Sequence, residues 1–185
     1  MSNLTQFFAQ DAVDVARHLI GWHLQVGDSG GVIVETEAYR DTDEASHAFR
    51  GQTPRNAAMF GPPAHIYVYR SYGIHWCVNF VCTTGSAVLI RAVEPDNGLA
   101  LMSERRGTND LRNLCSGPGK LCQALGIDLS FNGLPLDRPP LRLTAATDPA
   151  VAVVSGRRIG ISRNVEPLWR FGLKGSAFLS RRFPN

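Results

Sequence analysis

Between Gln10 and Ile20 the apolar positions Val13, Ala16, Leu19 and Ile20 recur at helical spacing, with Asp11 placed to cap the first turn and Gly21 to end the last. This predicts an amphipathic helix. From Gly31 to Tyr39 the period falls to two, which predicts a strand, and Ser86 to Val93 reads as another. Residues His65 to Cys82 hold two runs rich in β-branched and aromatic side chains that meet at Ser71-Tyr72-Gly73, the signature of a β-hairpin. Helical spacing returns from Asn97 to Arg106, before Gly107, and from Pro118 to Leu125, with Pro at the start and Gly126 at the end. Asp41 to Met59 reads as loop with short helical turns, and Val151 to Ile161 and Trp169 to Leu179 as late strands. Strands and helices mix without regular βαβ alternation, so the expected class is α+β, a single domain around a curved antiparallel sheet with a protruding hairpin.

A chain of 185 residues can bury a substantial core as one domain without disulfides or metal. No apolar run approaches the roughly 20 residues of a membrane span, and the first residues lack the basic start and apolar stretch of a secretory signal. The expected location is therefore the cytoplasm. Cys77, Cys82, Cys115 and Cys122 form no C-x-x-C pair and have no histidine at zinc-finger spacing, so buried reduced thiols are expected and no metal site. The net charge is only +3, yet residues 1–48 carry 8 acidic residues against Arg17 and Arg40, while the rest carries 17 basic against 8 acidic. Only Lys120 and Lys174 among the 19 basic residues are lysines, and guanidinium groups suit bidentate phosphate contact. Such a surface fits a polyanionic partner as well as it fits an ordinary basic enzyme.

Four stretches could carry chemistry. In VETEAY, alternation puts Glu35, Glu37 and Tyr39 on one face of a strand, either a solvated face or a carboxylate aimed into a cleft as general base beside an aromatic wall. His47 follows in a loop-forming segment, as a surface residue or as part of the same site. Ser116-Gly117-Pro118-Gly119-Lys120 is not a Walker A loop, because Leu121 stands where Ser or Thr should follow the lysine; it either caps a helix or holds a single phosphate through Ser116 and Lys120. Tyr72, at the hairpin tip, either folds back on its own ribbon or projects as a wedge of the kind that fills the gap left by an extruded base.

Together, VETEAY, the H-x-F-R-G-x-x-x-R-N stretch, YVYRSYGIHWCVN, AVLIRAVEP and LCSGPGKLCQALGI resemble the alkyladenine (3-methyladenine) DNA glycosylase family, in order from about Phe7 to about Gly175. The resemblance implies a monomeric, cofactor-free enzyme that acts on double-stranded DNA containing damaged purines, cleaves the N-glycosidic bond and, in a bacterium, works at the nucleoid. It implies Glu37 as the base that activates water, with Glu35 the weaker candidate. It implies Arg91 and the backbone carbonyl of Ile159 as partners in holding that water, Tyr39 stacked on one face of the flipped purine, and His47 and Tyr69 on the other. It further implies the His47 N–H at the purine edge, Asn79 crowding the amine of guanine, and Tyr72 intercalated in the duplex. Where mammalian relatives carry Met-Tyr after the tip glycine, this chain has Ile74-His75. A lesion-sensing module without catalysis would keep Tyr72 and Lys120 but have no use for Glu37, and a nucleoside hydrolase would not need the wedge.

Overall fold

The structure, a computed structural model, describes residues 3–146 and 151–184. Helix α1 (Asn3–Phe8) leads into α2 (Ala12–His18), where the Asp11 side chain accepts from the Val13 N–H at 2.8 Å and caps the first turn as its sequence requires. Then come β1 (His23–Val26) and the long β2 (Ser29–Tyr39), followed by an irregular stretch containing one 3-10 turn at Ala57–Phe60. The chain continues through β3 (Ile66–Ser71), β4 (His75–Val81) and β5 (Ala87–Asn97) into α3 (Leu99–Arg106), α4 (Leu111–Leu114) and α5 (Pro118–Leu125). Three short strands close it: β6 (Leu141–Thr144), β7 (Val153–Gly156) and β8 (Arg170–Leu173).

These strands form one curled antiparallel sheet in the order β3-β4-β5-β2-β1-β6, and β8 pairs with both β2 and β7. Strand β2 is its hub. One edge runs along β5; on the other, its first half meets β1 (Ser29 to Val32) and its second half meets β8 (Glu35 to Glu37). The Thr36 hydroxyl donates to the Ala16 carbonyl at 2.8 Å, which turns the Val34/Thr36/Ala38 face onto α2 and the main core. Glu35, Glu37 and Tyr39 are thereby committed to the opposite face. Close approach of β2 and β5 depends on Gly31, where a Cβ would lie 2.1 Å from the Glu94 carbonyl oxygen.

The main core joins Phe8, Leu19, Ile33, Phe80, Ile90, Met102, Leu121 and Leu125, all fully buried. A smaller cluster of Ala48, Met59, Tyr67, Val81 and Ala87 underlies the segment from Arg40 to Phe60, with Tyr39 and Tyr69 packed against it. The α+β class and the curved antiparallel sheet are as the sequence predicts. The differences lie at the margins. Helix α1 and strands β1 and β6 were not expected, Asn97 ends β5 rather than opening α3, and the late strands shrink to four residues each. All four cysteines are free and buried.

Candidate active site

Both carboxylates of VETEAY are fully buried, so the solvated-face alternative is excluded. What keeps two acids out of water is a set of donors brought from distant segments. Glu37 Oε2 accepts from the Tyr39 hydroxyl at 2.9 Å and from Arg91 Nη1 at 3.3 Å, and Oε1 accepts from the Ile159 N–H at 2.7 Å. Glu35 Oε1 accepts from Arg170 Nε at 2.7 Å and Arg91 Nε at 3.2 Å. Arg91 thus bridges the two acids, and the backbone explains how. In the β2–β5 ladder Glu35 pairs with Ala92 and Thr36 with Ile90, leaving Arg91 as an extra, unpaired residue. Such a bulge re-aims its side chain, here across the gap between the carboxylates.

Burial pushes Glu37 above the ordinary carboxylate range, against the opposing pull of the Arg91 charge, the Ile159 N–H and the Tyr39 hydroxyl. Tyr39 is raised well above its usual value by burial and by Glu37 beside it, so its phenol stays protonated and keeps donating.

Tyr39 and Tyr69 both pack against the smaller cluster that holds Tyr67. The His47 ring lies 4.4 Å from Tyr69, edge to face, and its Nδ1 shares a 2.9 Å hydrogen bond with the Tyr67 hydroxyl. Desolvation, with the Arg55 charge added, holds His47 below the ordinary histidine value, so it is neutral at pH 7. Asn79, buried on β4 opposite Tyr67, donates its amide to the Tyr67 carbonyl at 3.1 Å. At the rim of the fold, β3 and β4 pair from Ile66↔Phe80 to Ser71↔His75, and Tyr72 occupies the tip. It is 88% exposed, which excludes a ring folded back on the ribbon, and its φ is +50°, a left-handed conformation.

The structure thus gathers Glu37, Tyr39, Arg91 and Ile159 in one hydrogen-bonded group and His47 with Tyr67 and Tyr69 in another. Ile159 faces Glu37 with its N–H rather than its carbonyl. Ser116 sits in an isolated bridge with Ala92, Gly117 precedes α5 as an N-cap without a side-chain hydrogen bond, and Lys120 Nζ donates to Asn113 Oδ1 at 2.9 Å.

A family model for methylpurine-DNA glycosylases matches residues 6–177 of the chain. The chain belongs to that family. Relatives named as candidate 3-methyladenine DNA glycosylases include one from Agrobacterium fabrum, 63% identical over 177 residues, covering 96% of this chain and 91% of its own. Another, from Nitrosospira multiformis, is 58% identical and covers 99% of this chain and 96% of its own.

Five residues of this family member escaped the sequence reading: Asp43, Arg158, Asn164, Arg170 and Ser180. Arg158 is buried and ion-paired with Asp43, donates to the Ala38 carbonyl at 3.0 Å, and lies 4.6 Å from the Tyr39 ring centroid. Asn164 adds a 2.7 Å hydrogen bond to Asp43 Oδ1. Burial raises Asp43, but the hydrogen bonds from Arg158, Asn164 and the Ala45 N–H together hold it below the usual range. This pair ties the segment carrying His47 to the strand carrying Tyr39. The other two, Arg170 and Ser180, hold Glu35. Their partners lie 115 to 145 residues away in sequence, beyond any periodic signal.

Proposed function

We propose that this protein is a monofunctional DNA glycosylase of the 3-methyladenine type, working as one catalytic domain and a monomer in the bacterial cytoplasm on double-stranded DNA. It extrudes alkylated or deaminated purines, the class of 3-methyladenine, 7-methylguanine, hypoxanthine and ethenoadenine, and hydrolyses the N-glycosidic bond. The observation that carries this reading is a buried carboxylate, Glu37, fixed by three donors, the Tyr39 hydroxyl, Arg91 and the Ile159 N–H.

Departure of a purine leaves an oxocarbenium-like sugar, which a nearby carboxylate stabilises while it accepts a proton from the attacking water. Glu37 suits this work. Its three hydrogen bonds leave Oε1 with a free lone pair for water, and its raised pKa makes it a better proton acceptor than a solvated glutamate. Glu35 is occupied by Arg91, Arg170 and Ser180 and serves as a fixed counter-charge. Tyr39 and the His47–Tyr69 pair form the two sides between which an extruded base stacks; the His47 N–H meets its edge and Asn79 crowds the guanine amine. A cationic base such as 7-methylguanine leaves readily, whereas hypoxanthine needs its leaving nitrogen protonated.

Tyr72 supplies the wedge. A tyrosine at a tip in the left-handed region, without burial to offset the strain of about 1–2 kcal/mol, is the kind of outlier that points to function rather than stability. A lyase mechanism would need an amine at the pocket; Lys120 is bonded to Asn113 and Lys174 follows the end of β8.

Single-turnover excision from duplexes containing hypoxanthine, ethenoadenine or 7-methylguanine tests the reading. Glu37→Gln should keep lesion binding and lose on the order of 10²- to 10⁴-fold in rate, the usual worth of a general base. Unchanged excision would remove Glu37 from the mechanism, and a covalent adduct trapped by borohydride would overturn the monofunctional assignment.

A further inference from the structure

Glu35, the acid that the proposed chemistry does not use, takes half of its hydrogen bonds from one residue near the C-terminus. Ser180 Oγ donates to Oε1 at 2.8 Å and the Ser180 N–H to Oε2 at 2.5 Å, beside Arg91 Nε and Arg170 Nε. The same hydroxyl accepts from Arg91 Nη2 at 3.4 Å, while Nη1 on the other arm of that guanidinium reaches Glu37 at 3.3 Å. A hydroxyl has one proton to give and two lone pairs. In Ser180 the proton goes to Glu35 and a lone pair takes Arg91, which fixes the plane of the guanidinium between the two acids.

The segment carrying Ser180 lies past residue 177, where the family match ends. It is anchored firmly. The Phe183 ring rests on bare backbone at Gly156 and Gly172, where an added Cβ would come within 2.9 Å and 2.4 Å of it, and lies 4.0 Å from the Arg170 guanidinium carbon. Arg170 in turn donates to the Arg181 carbonyl. Two glycines on β7 and β8 thus make a seat for one aromatic ring, and that ring holds the hydroxyl on Glu35.

We propose that residues 179–183 form a positioning strap for the hydrolytic site, in which Ser180 satisfies Glu35 and so keeps Arg91 engaged with Glu37. The inference rests on the reading of Glu37 as the base. Its physical basis is competition between two buried carboxylates for one shared guanidinium. With the hydroxyl gone, Glu35 loses one donor and Arg91 loses the acceptor that sets its plane, so the guanidinium turns toward Glu35 and away from Glu37. The groups facing Glu37 are Glu35 and Tyr39 on its own strand, Arg91 from β5, its ladder partner Arg170 on β8, the Ile159 N–H, and Tyr69 and Cys77 from the hairpin. Arg170 is committed to Glu35 and the Arg181 carbonyl, whereas Arg91 is the cation hydrogen-bonded to Glu37, so the loss of Arg91 is not made good by a second bonded charge. Burial then raises Glu37 further, and the base becomes protonated at higher pH.

The test is the pH profile of single-turnover excision of 7-methylguanine, a cationic base that needs no protonation to leave, so that the rising limb reports Glu37 alone. Ser180→Ala should move that limb up by roughly 0.5 to 1 pH unit, an approximately 3- to 10-fold loss at a fixed pH below it, and the rates should converge with wild type at high pH. Ser180→Thr, which keeps the hydroxyl, should return the limb. Phe183→Ala, which removes the ring that seats the strap while every hydrogen-bonding side chain stays in place, should shift it in the same direction and decides the matter if Ser180→Ala does not fold. A limb that stays in place, or a uniform loss at every pH, overturns the strap. If Glu37→Gln is inactive and the limb is unmoved, only the strap falls; if Glu37→Gln excises normally, the hydrolytic reading falls and takes the strap with it.

Discussion

Asp43 and Arg158 form an ion pair whose side chains are both wholly buried, and Asp43→Ala would leave the guanidinium without its counter-charge. Arg158 would keep the Ala38 and Asn164 carbonyls and the faces of Tyr39 and Trp169, but Asn164 Nδ2 would lose its acceptor. Breaking a buried pair from one side costs about 3–5 kcal/mol, a large share of the roughly 5–15 kcal/mol that holds a domain together. With a urea dependence of about 2 kcal/mol per M, the unfolding midpoint should fall by roughly 1.5–2.5 M. Replacing both partners, Asp43→Ala with Arg158→Met, removes the stranded charge and should recover much of the loss. The pH dependence has a definite sign. Asp43 is depressed in the folded state, so its stabilisation is complete above the unfolded value near pH 4 and is lost as pH falls through the folded value. Urea titrations of wild type, both single variants and the double variant at pH 7 and pH 4 measure all of this. A loss below about 1 kcal/mol, the worth of an exposed pair, or additive single effects would refute the argument.

Tyr72→Asn places at the hairpin tip a residue that tolerates the left-handed conformation, so it should raise stability by about 0.5–1 kcal/mol in urea unfolding while shortening the residence of a lesion-containing duplex; a stability loss would show that the ring contributes to the fold. Lys120→Ala should weaken duplex binding evenly across sequences and lower the slope of log affinity against log salt by about 1, and an unchanged slope would take Lys120 out of the DNA interface. Gly31→Ala drives a methyl to 2.1 Å from the Glu94 carbonyl and should cost about 3 kcal/mol, the upper end for overpacking; wild-type stability would mean that β2 and β5 can part at that point.

Much of this was legible in the sequence because local patterns carried it. Asp11 caps α2, Gly107 and Gly126 end α3 and α5, and Tyr72 stands at a hairpin tip, each for a reason contained within a few residues. The alternation in VETEAY correctly put both acids and Tyr39 on one face. It could not say what covers that face, because alternation distinguishes two sides of a strand without identifying their neighbours. The answer comes from Arg170, Ser180 and Ile159, more than 120 residues further along. The Arg91 bulge left no trace either, since an extra residue in a ladder shows only against its partner strand. Helix α1 is a single short run, and β1 and β6 are four-residue strands that are defined by pairing with each other rather than by their own composition.

Strand β2 has a hydrogen-bonded neighbour along both edges through Glu35, Thr36 and Glu37, β5 on one side and β8 on the other. Amide protons there cannot reach solvent by fraying and should exchange only when the whole sheet comes apart. The Tyr72 tip, beyond the last β3–β4 pair at Ser71 and His75, has no such protection. Heating should therefore silence catalysis and melt the fold in one transition, whereas the tip that carries the proposed wedge loosens far earlier. On that proposal an incoming purine would meet a yielding rim above a floor that does not give.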